Sequence, residues 1–173
     1  DVEINPLNFP DKHIKQIKQN YSRTPYFKAY FDELSDVLTI AAKDLSLCNL
    51  NIAMIKWLSS QLSVSARFIR SSELGLSGKR TELLISILKS IHANTYLSPL
   101  GSWEYLKEEW RLFRENGIEV EFQGYFHPQY RQIYNPFVPN ASAIDLLLNE
   151  GEQSGAIIRS GRRDVIRPEE LMK

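Results

Sequence analysis

The chain has 173 residues, of which 43% are hydrophobic and 24% are charged, so it fits one ordinary globular domain and not a disordered protein. Its 21 Lys and Arg residues balance 21 Asp and Glu residues, so net charge favours neither nucleic acid nor an anionic membrane as a partner. No apolar run approaches the roughly 18 residues of a membrane helix. The single cysteine, Cys48, excludes an internal disulfide and a multi-cysteine metal site. We expect a soluble, cytoplasmic protein with no membrane insertion and no metal.

The first half of the chain is predicted to be helical. Apolar residues at spacings of three and four predict helices over about 11–21, 26–44 and 49–62. Thr24-Pro25 separates the first two, because proline disfavours helix at the residue before it. The remaining faces carry lysine, glutamine and serine, which is typical of a scaffold.

The second half is predicted to alternate strands with helices. Short strands are predicted at 66–70, 95–97 and 118–122, with helices over 79–93 and 102–116. This order predicts a parallel sheet with right-handed crossovers. The predicted fold class is therefore α/β, a small parallel Rossmann-like sheet with flanking helices and a helix-rich N-terminal half.

The layout is predicted to be one α/β domain over 1–151 and a basic C-terminal tail over 152–173. The tail contains the arginines Arg159, Arg162, Arg163 and Arg167. Within the domain, residues 123–140 are rich in aromatic and proline residues. Loops of this length are usually functional.

Two loops that follow predicted strands are candidate phosphate sites. Ligands bind at the carboxyl ends of strands in open parallel sheets, and helix N-termini attract anions. The predicted phosphate ligands are Ser71, Ser72, Lys79, Arg80, Ser98, Gly101 and Ser102. The alternative is that Ser77 and Ser102 only cap helices and that the glycines only turn the chain.

The aromatic segment offers candidates for catalysis and sugar binding. His127 is the histidine in this segment, and we predict it as a general acid or base. The triplet Tyr130-Arg131-Gln132, with Tyr125 and Tyr134, could stack on a sugar or a base and hydrogen-bond its hydroxyls. Equally, these aromatic side chains could anchor the loop to the sheet.

Ser142 and Asp145 precede three leucines and match a capping box. In that motif each of the two side chains accepts a hydrogen bond from the backbone N–H of the other residue. The alternative is a catalytic serine–aspartate pair, but the sequence places no base beside a nucleophile.

Several short motifs between residues 4 and 151 share an order and spacing with a known family. They are Asn20-Tyr21, Pro25-Tyr26-Phe27, Ser71-Ser72-Glu73-Leu74, Tyr96-Leu97-Ser98-Pro99-Leu100-Gly101-Ser102, Tyr105-Leu106, Tyr130-x-Gln132, Phe137-x-Pro139, Ser142-x-Ile144-Asp145-Leu146-Leu147 and Asn149-x-Gly151. Together they resemble the WbqC-like protein family of bacteria.

The resemblance implies a role in the biosynthesis of surface polysaccharides such as O-antigen, among enzymes that act on nucleotide-linked sugars. We therefore expect group transfer on a nucleotide-activated sugar, without a cofactor. Tyr105, Tyr130 and Gln132 are the expected substrate contacts. The alternative is a non-catalytic binding or assembly module of a polysaccharide pathway.

The family also begins with a strand and a Gln-Pro-Tyr segment that this chain lacks, so we expect the chain to be the C-terminal part of a longer domain. Val2 and Ile4 alternate as in a strand, and we predict that residues 2–4 are extended. The sheet edge beside 1–5 or 66–70 is predicted to be exposed or paired with a separate polypeptide. That polypeptide would be the family's N-terminal segment or a second copy of the chain.

Overall fold

The computed structural model describes residues 2–172, which divide into two compact units. Unit 1 contains residues 2–66 and 127–160, and unit 2 contains residues 67–126 and 161–172. Within the described residues, no helix has the length and apolarity needed to span a bilayer. The division into a domain over 1–151 and a tail over 152–173 stays a prediction.

Helices dominate the structure, and two short strands form its sheet. The helices are α1 (Asp11–Tyr21), α2 (Phe27–Ala41), α3 (Leu47–Gln61), α4 (Arg80–Ser90), α5 (Trp103–Leu106), α6 (Trp110–Glu115), α7 (Ala143–Glu150), α8 (Ser154–Ser160) and α9 (Pro168–Leu171). The strands are β1 (Thr95–Pro99) and β2 (Glu119–Gln123). Single 3-10 turns cover Ala42–Asp44, Ser71–Leu74, Leu100–Ser102 and Gly151–Gln153.

Unit 1 is helical, as its apolar periodicity predicts. Its core joins Leu34 and Leu38 of α2, Leu50 and Trp57 of α3, and Leu147 of α7. The two residues are four apart on α2 and seven apart on α3, so each of these helices buries one stripe. Burial of that stripe is the main stabilising term for unit 1.

The N-terminal segment of unit 1 pairs within the chain. The Ile4 amide donates to the Leu45 carbonyl at 2.7 Å, and the Leu47 amide donates to the Val2 carbonyl at 3.2 Å. Glu3 and Ser46 thereby form an antiparallel bridge. The prediction that the partners of residues 2–4 lie in a separate polypeptide is therefore wrong. Asp1 lies outside the described residues.

Unit 2 carries the parallel sheet, which has two strands in the described chain. β1 and β2 pair in register from Thr95↔Glu119 to Pro99↔Gln123. The third strand predicted at 66–70 does not form, and Phe68 and Ile69 remain 47% and 40% exposed. Side chains of adjacent residues in an extended segment point to opposite sides, so Phe68 and Ile69 cannot both pack against the core on one face of a strand. The protein is mixed α/β, and the Rossmann-like part of the prediction is not confirmed.

The helix predicted over 102–116 is interrupted. α5 ends at Leu106 and α6 begins at Trp110, with Glu109 at φ −120° between them. The Glu109 carboxylate accepts a hydrogen bond from the Thr81 hydroxyl at the start of α4. This hydrogen bond holds Glu109 in a non-helical conformation. Trp110 and Phe113 of α6 still pack in the core of unit 2.

Residues 161–166 run antiparallel beside β2. The Phe126 amide donates to the Gly161 carbonyl at 2.8 Å, the Arg163 amide to the Gly124 carbonyl at 3.0 Å, and the Ile166 amide to the Phe122 carbonyl at 2.9 Å. This segment covers the β2 edge and, with both strands, shapes the carboxyl end of the sheet.

Candidate functional site

A cavity of about 700 Å³, which we call the main cavity, lies at the carboxyl ends of β1 and β2, within unit 2. Its lining includes Leu100, Gln123, Tyr125, Phe126, Arg163 and Asp164. The carboxyl ends of parallel strands are where open α/β sheets bind ligands. The volume falls within the range of small-molecule sites, roughly 300–1,000 Å³.

Two glycines allow the cavity wall to approach β2 closely. A side chain at Gly124 would collide with the Asp164 carbonyl. A Cβ at Gly161 would lie 2.5 Å from the Phe126 carbonyl oxygen and 2.7 Å from the Tyr125 ring. The register of residues 161–166, and hence the shape of the cavity, depends on these two positions.

The cavity combines a guanidinium group with exposed aromatic surface. The Arg163 guanidinium carbon lies 5.8 Å from the centre of the Phe126 ring, and one of its Nη1 hydrogens goes to the Arg162 carbonyl at 2.7 Å. Phe126 is 69% exposed and Tyr125 is 41% exposed. A guanidinium can pair with a phosphate, and an aromatic face can stack on a base or a sugar.

Three predicted phosphate ligands lie at the end of β1 and in the turn that follows it. The Ser98 and Ser102 hydroxyls are buried and lie 2.6 Å apart, and Ser102 Oγ donates to the Pro99 carbonyl at 2.6 Å. Gly101 lies in the 3-10 turn. The hydroxyls thus hold the Pro99–Leu100 turn, and direct phosphate contact by these residues stays a prediction.

A second cavity, of about 390 Å³, brings together two other predicted residues of unit 2. Arg80 and Tyr105 both line it, together with Thr81 and Glu109. Lys79 holds the N-cap position of α4, so Ser77 is not the cap. Two further predicted ligands, Ser71 and Ser72, lie in the preceding 3-10 turn.

In unit 1, Tyr130 and Gln132 meet the carboxylate of Asp145. Tyr130 Oη donates to Asp145 Oδ2 at 2.7 Å, and Gln132 Nε2 donates to the same oxygen at 2.9 Å. Gln132 also binds the Val138 backbone, donating to its carbonyl at 3.1 Å and accepting from its amide at 2.8 Å. The two predicted substrate contacts therefore hold the loop against α7, and substrate contact by them stays a prediction.

Burial and charge raise the pKa of the phenols in this network. Desolvation raises the pKa of Tyr130 well above its ordinary value near 10, and the adjacent Asp145 carboxylate raises it further. Desolvation and Asp145 likewise raise the pKa of Tyr21 at the end of α1. Both phenols are therefore neutral at ordinary pH, and the Tyr130 phenol donates its proton to Asp145 in a hydrogen bond.

His127 lies among aromatic rings of the same unit. Its ring centre lies 6.3 Å from that of Tyr130 and 6.2 Å from that of Phe137. Its Nδ1 is buried and has no hydrogen-bond partner among residues 2–172. The structure places His127 beside the network of Tyr130, and its role as a general acid or base stays a prediction.

The predicted capping box is half right. Ser142 Oγ accepts from the Ile144 amide at 3.2 Å and caps α7. The Asp145 carboxylate instead binds Tyr130 and Gln132, because two neutral side-chain donors reach it there. The local pattern could not reveal those partners, which lie 15 and 13 residues away.

Sequence reasoning selected only part of the main cavity, namely Tyr125 and the loop that contains Leu100. Gln123, Tyr125 and Phe126 open the aromatic segment that the sequence marks as functional. Arg163 and Asp164 come from the predicted tail, and only the pairing of that segment with β2 brings them to the site. Val165 and Ile166, two β-branched residues after the arginines, are the signal that could have indicated an extended segment.

Comparison with known proteins places the chain in a family. The sequence model of the WbqC-like protein family matches residues 1–157. The chain belongs to this family. A relative, the uncharacterized protein Rv1507c of Mycobacterium tuberculosis, is 27% identical to this WbqC-like protein over 163 residues, which are 92% of this chain and 68% of the relative. No solved structure matches the chain.

Proposed function

We propose that this WbqC-like protein acts in bacterial surface polysaccharide biosynthesis, such as that of O-antigen, by group transfer on a nucleotide-activated sugar. The observation that supports this is the cavity at the carboxyl ends of β1 and β2. It has the size and the position of a ligand site in a parallel sheet.

The lining suits each part of such a ligand. Tyr125 and Phe126 offer aromatic surface for a base or a sugar ring, and Leu100 adds an apolar wall. The Gln123 amide and the Asp164 carboxylate can hydrogen-bond the hydroxyls of a sugar. The buried Ser98–Ser102 pair keeps the Leu100 wall in place.

The alternative is a non-catalytic binding or assembly module of the same pathway. This alternative is favoured because hydroxyl and carboxyl groups that could otherwise take part in catalysis are hydrogen-bonded to each other. Ser98 bonds Ser102, and Tyr130 bonds Asp145. In this alternative the cavity binds the nucleotide sugar without changing it.

A thermal-shift screen with UDP-glucose, GDP-mannose, CDP-glucose and dTDP-glucose tests the binding proposal. A ligand that binds only the native state raises the unfolding midpoint. We expect at least one sugar to raise it for the native chain and not for Leu100→Trp, whose indole would fill part of the cavity. Leu97→Trp, at an exposed position of β1, is the matched control and should respond like the native chain.

Mass spectrometry of the bound sugar after incubation with a set of acceptors separates the two candidate functions. A change in its mass supports group transfer. Binding without any mass change supports the module. No shift with any of the four sugars contradicts both.

A further inference from the structure

The second cavity of unit 2 has the composition of a separate ligand site. Its volume of about 390 Å³ falls within the roughly 300–1,000 Å³ of small-molecule sites. Arg80 supplies a cation to its lining and Glu109 supplies a carboxylate, while Leu84 and the Tyr105 ring supply apolar surface. Among the described residues, it shares no lining residue with the main cavity.

The Glu109 carboxylate is oriented by a buried hydroxyl. Thr81 is 5% exposed, and its Oγ1 donates a hydrogen bond to Glu109 Oε2. Within residues 2–172, the other carboxylate oxygen, Oε1, has no hydrogen-bond partner. Because a carboxylate accepts hydrogen bonds at both of its oxygens, Oε1 remains open to a cationic donor of a ligand.

Arg80 and Glu109 line the same cavity without neutralising each other. In the described part of the chain, Arg80 forms no ion pair, and its guanidinium donates no hydrogen bond. An arginine stays protonated in proteins and carries five N–H donors. The cavity therefore presents one unpaired positive charge and one negative charge to whatever enters it.

The backbone at Arg80 is strained. Its φ is +48°, in the left-handed region that favours glycine over residues with a side chain. Strain of this kind is concentrated at functional sites, where the side chain is worth more than a relaxed backbone. Replacement of Arg80 by glycine removes the guanidinium and relaxes the backbone, which provides a variant that folds.

We infer that the second cavity binds a free α-amino acid with an apolar side chain, as its zwitterion. The carboxylate of the amino acid pairs with the forked donors of Arg80, and its ammonium group donates to Glu109. The side chain packs against Leu84 and the Tyr105 ring. A phosphate is a poorer match, because Glu109 adds a negative charge to the same cavity. The inference is independent of the proposed function, which concerns the main cavity.

Isothermal titration calorimetry with L-phenylalanine and L-leucine tests this inference on the native chain. Two analogues each remove one charge of phenylalanine: 3-phenylpropionate lacks the ammonium group, and 2-phenylethylamine lacks the carboxylate. We expect at least one amino acid to bind saturably. We expect each analogue to bind about tenfold more weakly than phenylalanine, or weaker still, because each loses charge-assisted hydrogen bonds.

Variants assign the two charges to their residues. Arg80→Gly and Glu109→Gln should each weaken amino acid binding about tenfold or more, from the same loss. Arg80→Gly should keep or raise the native unfolding midpoint, and Glu109→Gln retains a side-chain oxygen for Thr81. The matched controls are Lys107→Gln and Glu108→Gln, which change charge at exposed neighbours and should retain the native affinity.

Several results would overturn the inference. They are the absence of binding by both amino acids, binding of 3-phenylpropionate or 2-phenylethylamine as tight as that of phenylalanine, and equal losses in the controls and in the cavity variants. Tighter binding of inorganic phosphate than of either amino acid would also overturn it and would support the phosphate contact predicted for Arg80. If a cavity variant does not fold, the comparison of the analogues on the native chain decides.

Discussion

Tyr130 donates a 2.7 Å hydrogen bond to the carboxylate of Asp145, and Gln132 donates to the same oxygen. Asp145 is buried on α7, while Tyr130 and Gln132 belong to the loop before that helix. The network satisfies a buried carboxylate and ties the loop to the helix. The motif Tyr130-x-Gln132 thus has a structural explanation that is independent of any ligand.

The first prediction concerns the stability that this network supplies. Tyr130→Phe removes a donor to a buried carboxylate and should lower the free energy of unfolding by about 1–3 kcal/mol in urea denaturation. The control is Tyr134→Phe, at a site 59% exposed, which should change it by less than about 0.5 kcal/mol. Equal effects of the two variants would contradict the structural role of Tyr130.

The second prediction concerns alkaline pH. Desolvation, followed by the bond to Asp145, raises the pKa of Tyr130 above its unfolded value near 10. The folded state then holds the phenol proton more tightly than the unfolded state, so this contribution is complete below pH 10 and is lost as the pH rises toward the folded pKa. Urea denaturation at pH 8, 9.5 and 10.5 should show a steeper loss of stability in the native chain than in Tyr130→Phe. Parallel pH profiles would contradict the raised pKa.

The third prediction concerns the start of α7. Ser142→Ala removes the Oγ that accepts from the Ile144 amide, and it should destabilise the protein by about 1 kcal/mol, as the loss of an N-cap does. Ser142→Asp keeps a capping oxygen and should restore most of that loss. Ligand affinity should stay unchanged in both variants. Loss of binding at an unchanged melting temperature would instead place Ser142 in a ligand site.

The fourth prediction concerns the packing of residues 161–166 against β2. Gly124→Ala forces a Cβ into the Asp164 carbonyl and should cost about 1–3 kcal/mol, as overpacking does. Nucleotide-sugar binding should weaken with it, because the cavity wall is displaced. Gly101→Ala is the control for stability, since a Cβ there meets nothing within 4 Å and the backbone is unstrained. Equal stability of the two variants would show that the wall does not depend on this close approach.

Local patterns predicted much of the fold. The helices of unit 1 follow their apolar stripes, and the alternation at residues 118–122 produced β2 close to its predicted bounds. The strand at 66–70 failed, since a strand needs a partner and nothing within residues 2–172 pairs with Phe68. Glu109 likewise interrupts a helix through a hydrogen bond to Thr81, 28 residues away.

The candidate site was harder to predict for the same reason. The sequence marked the loop after β1 and the aromatic segment, and the main cavity includes Leu100 and Phe126 from these two regions. It could not show that Ser98 and Ser102 bond each other, or that Asp145 accepts from Tyr130. Arg163 was noted only as part of a basic tail, because its place at the cavity depends on non-local pairing with β2.

The most direct test of the account maps the binding site of a nucleotide sugar by NMR. We would titrate the ¹⁵N-labelled chain with the sugar that gives the largest thermal shift and follow the backbone amide resonances. The account predicts the largest shift changes at Gly124, Phe126 and Arg163, around the main cavity. Changes concentrated around Arg80 and Tyr105, or no saturable change with any of the four sugars, would contradict it.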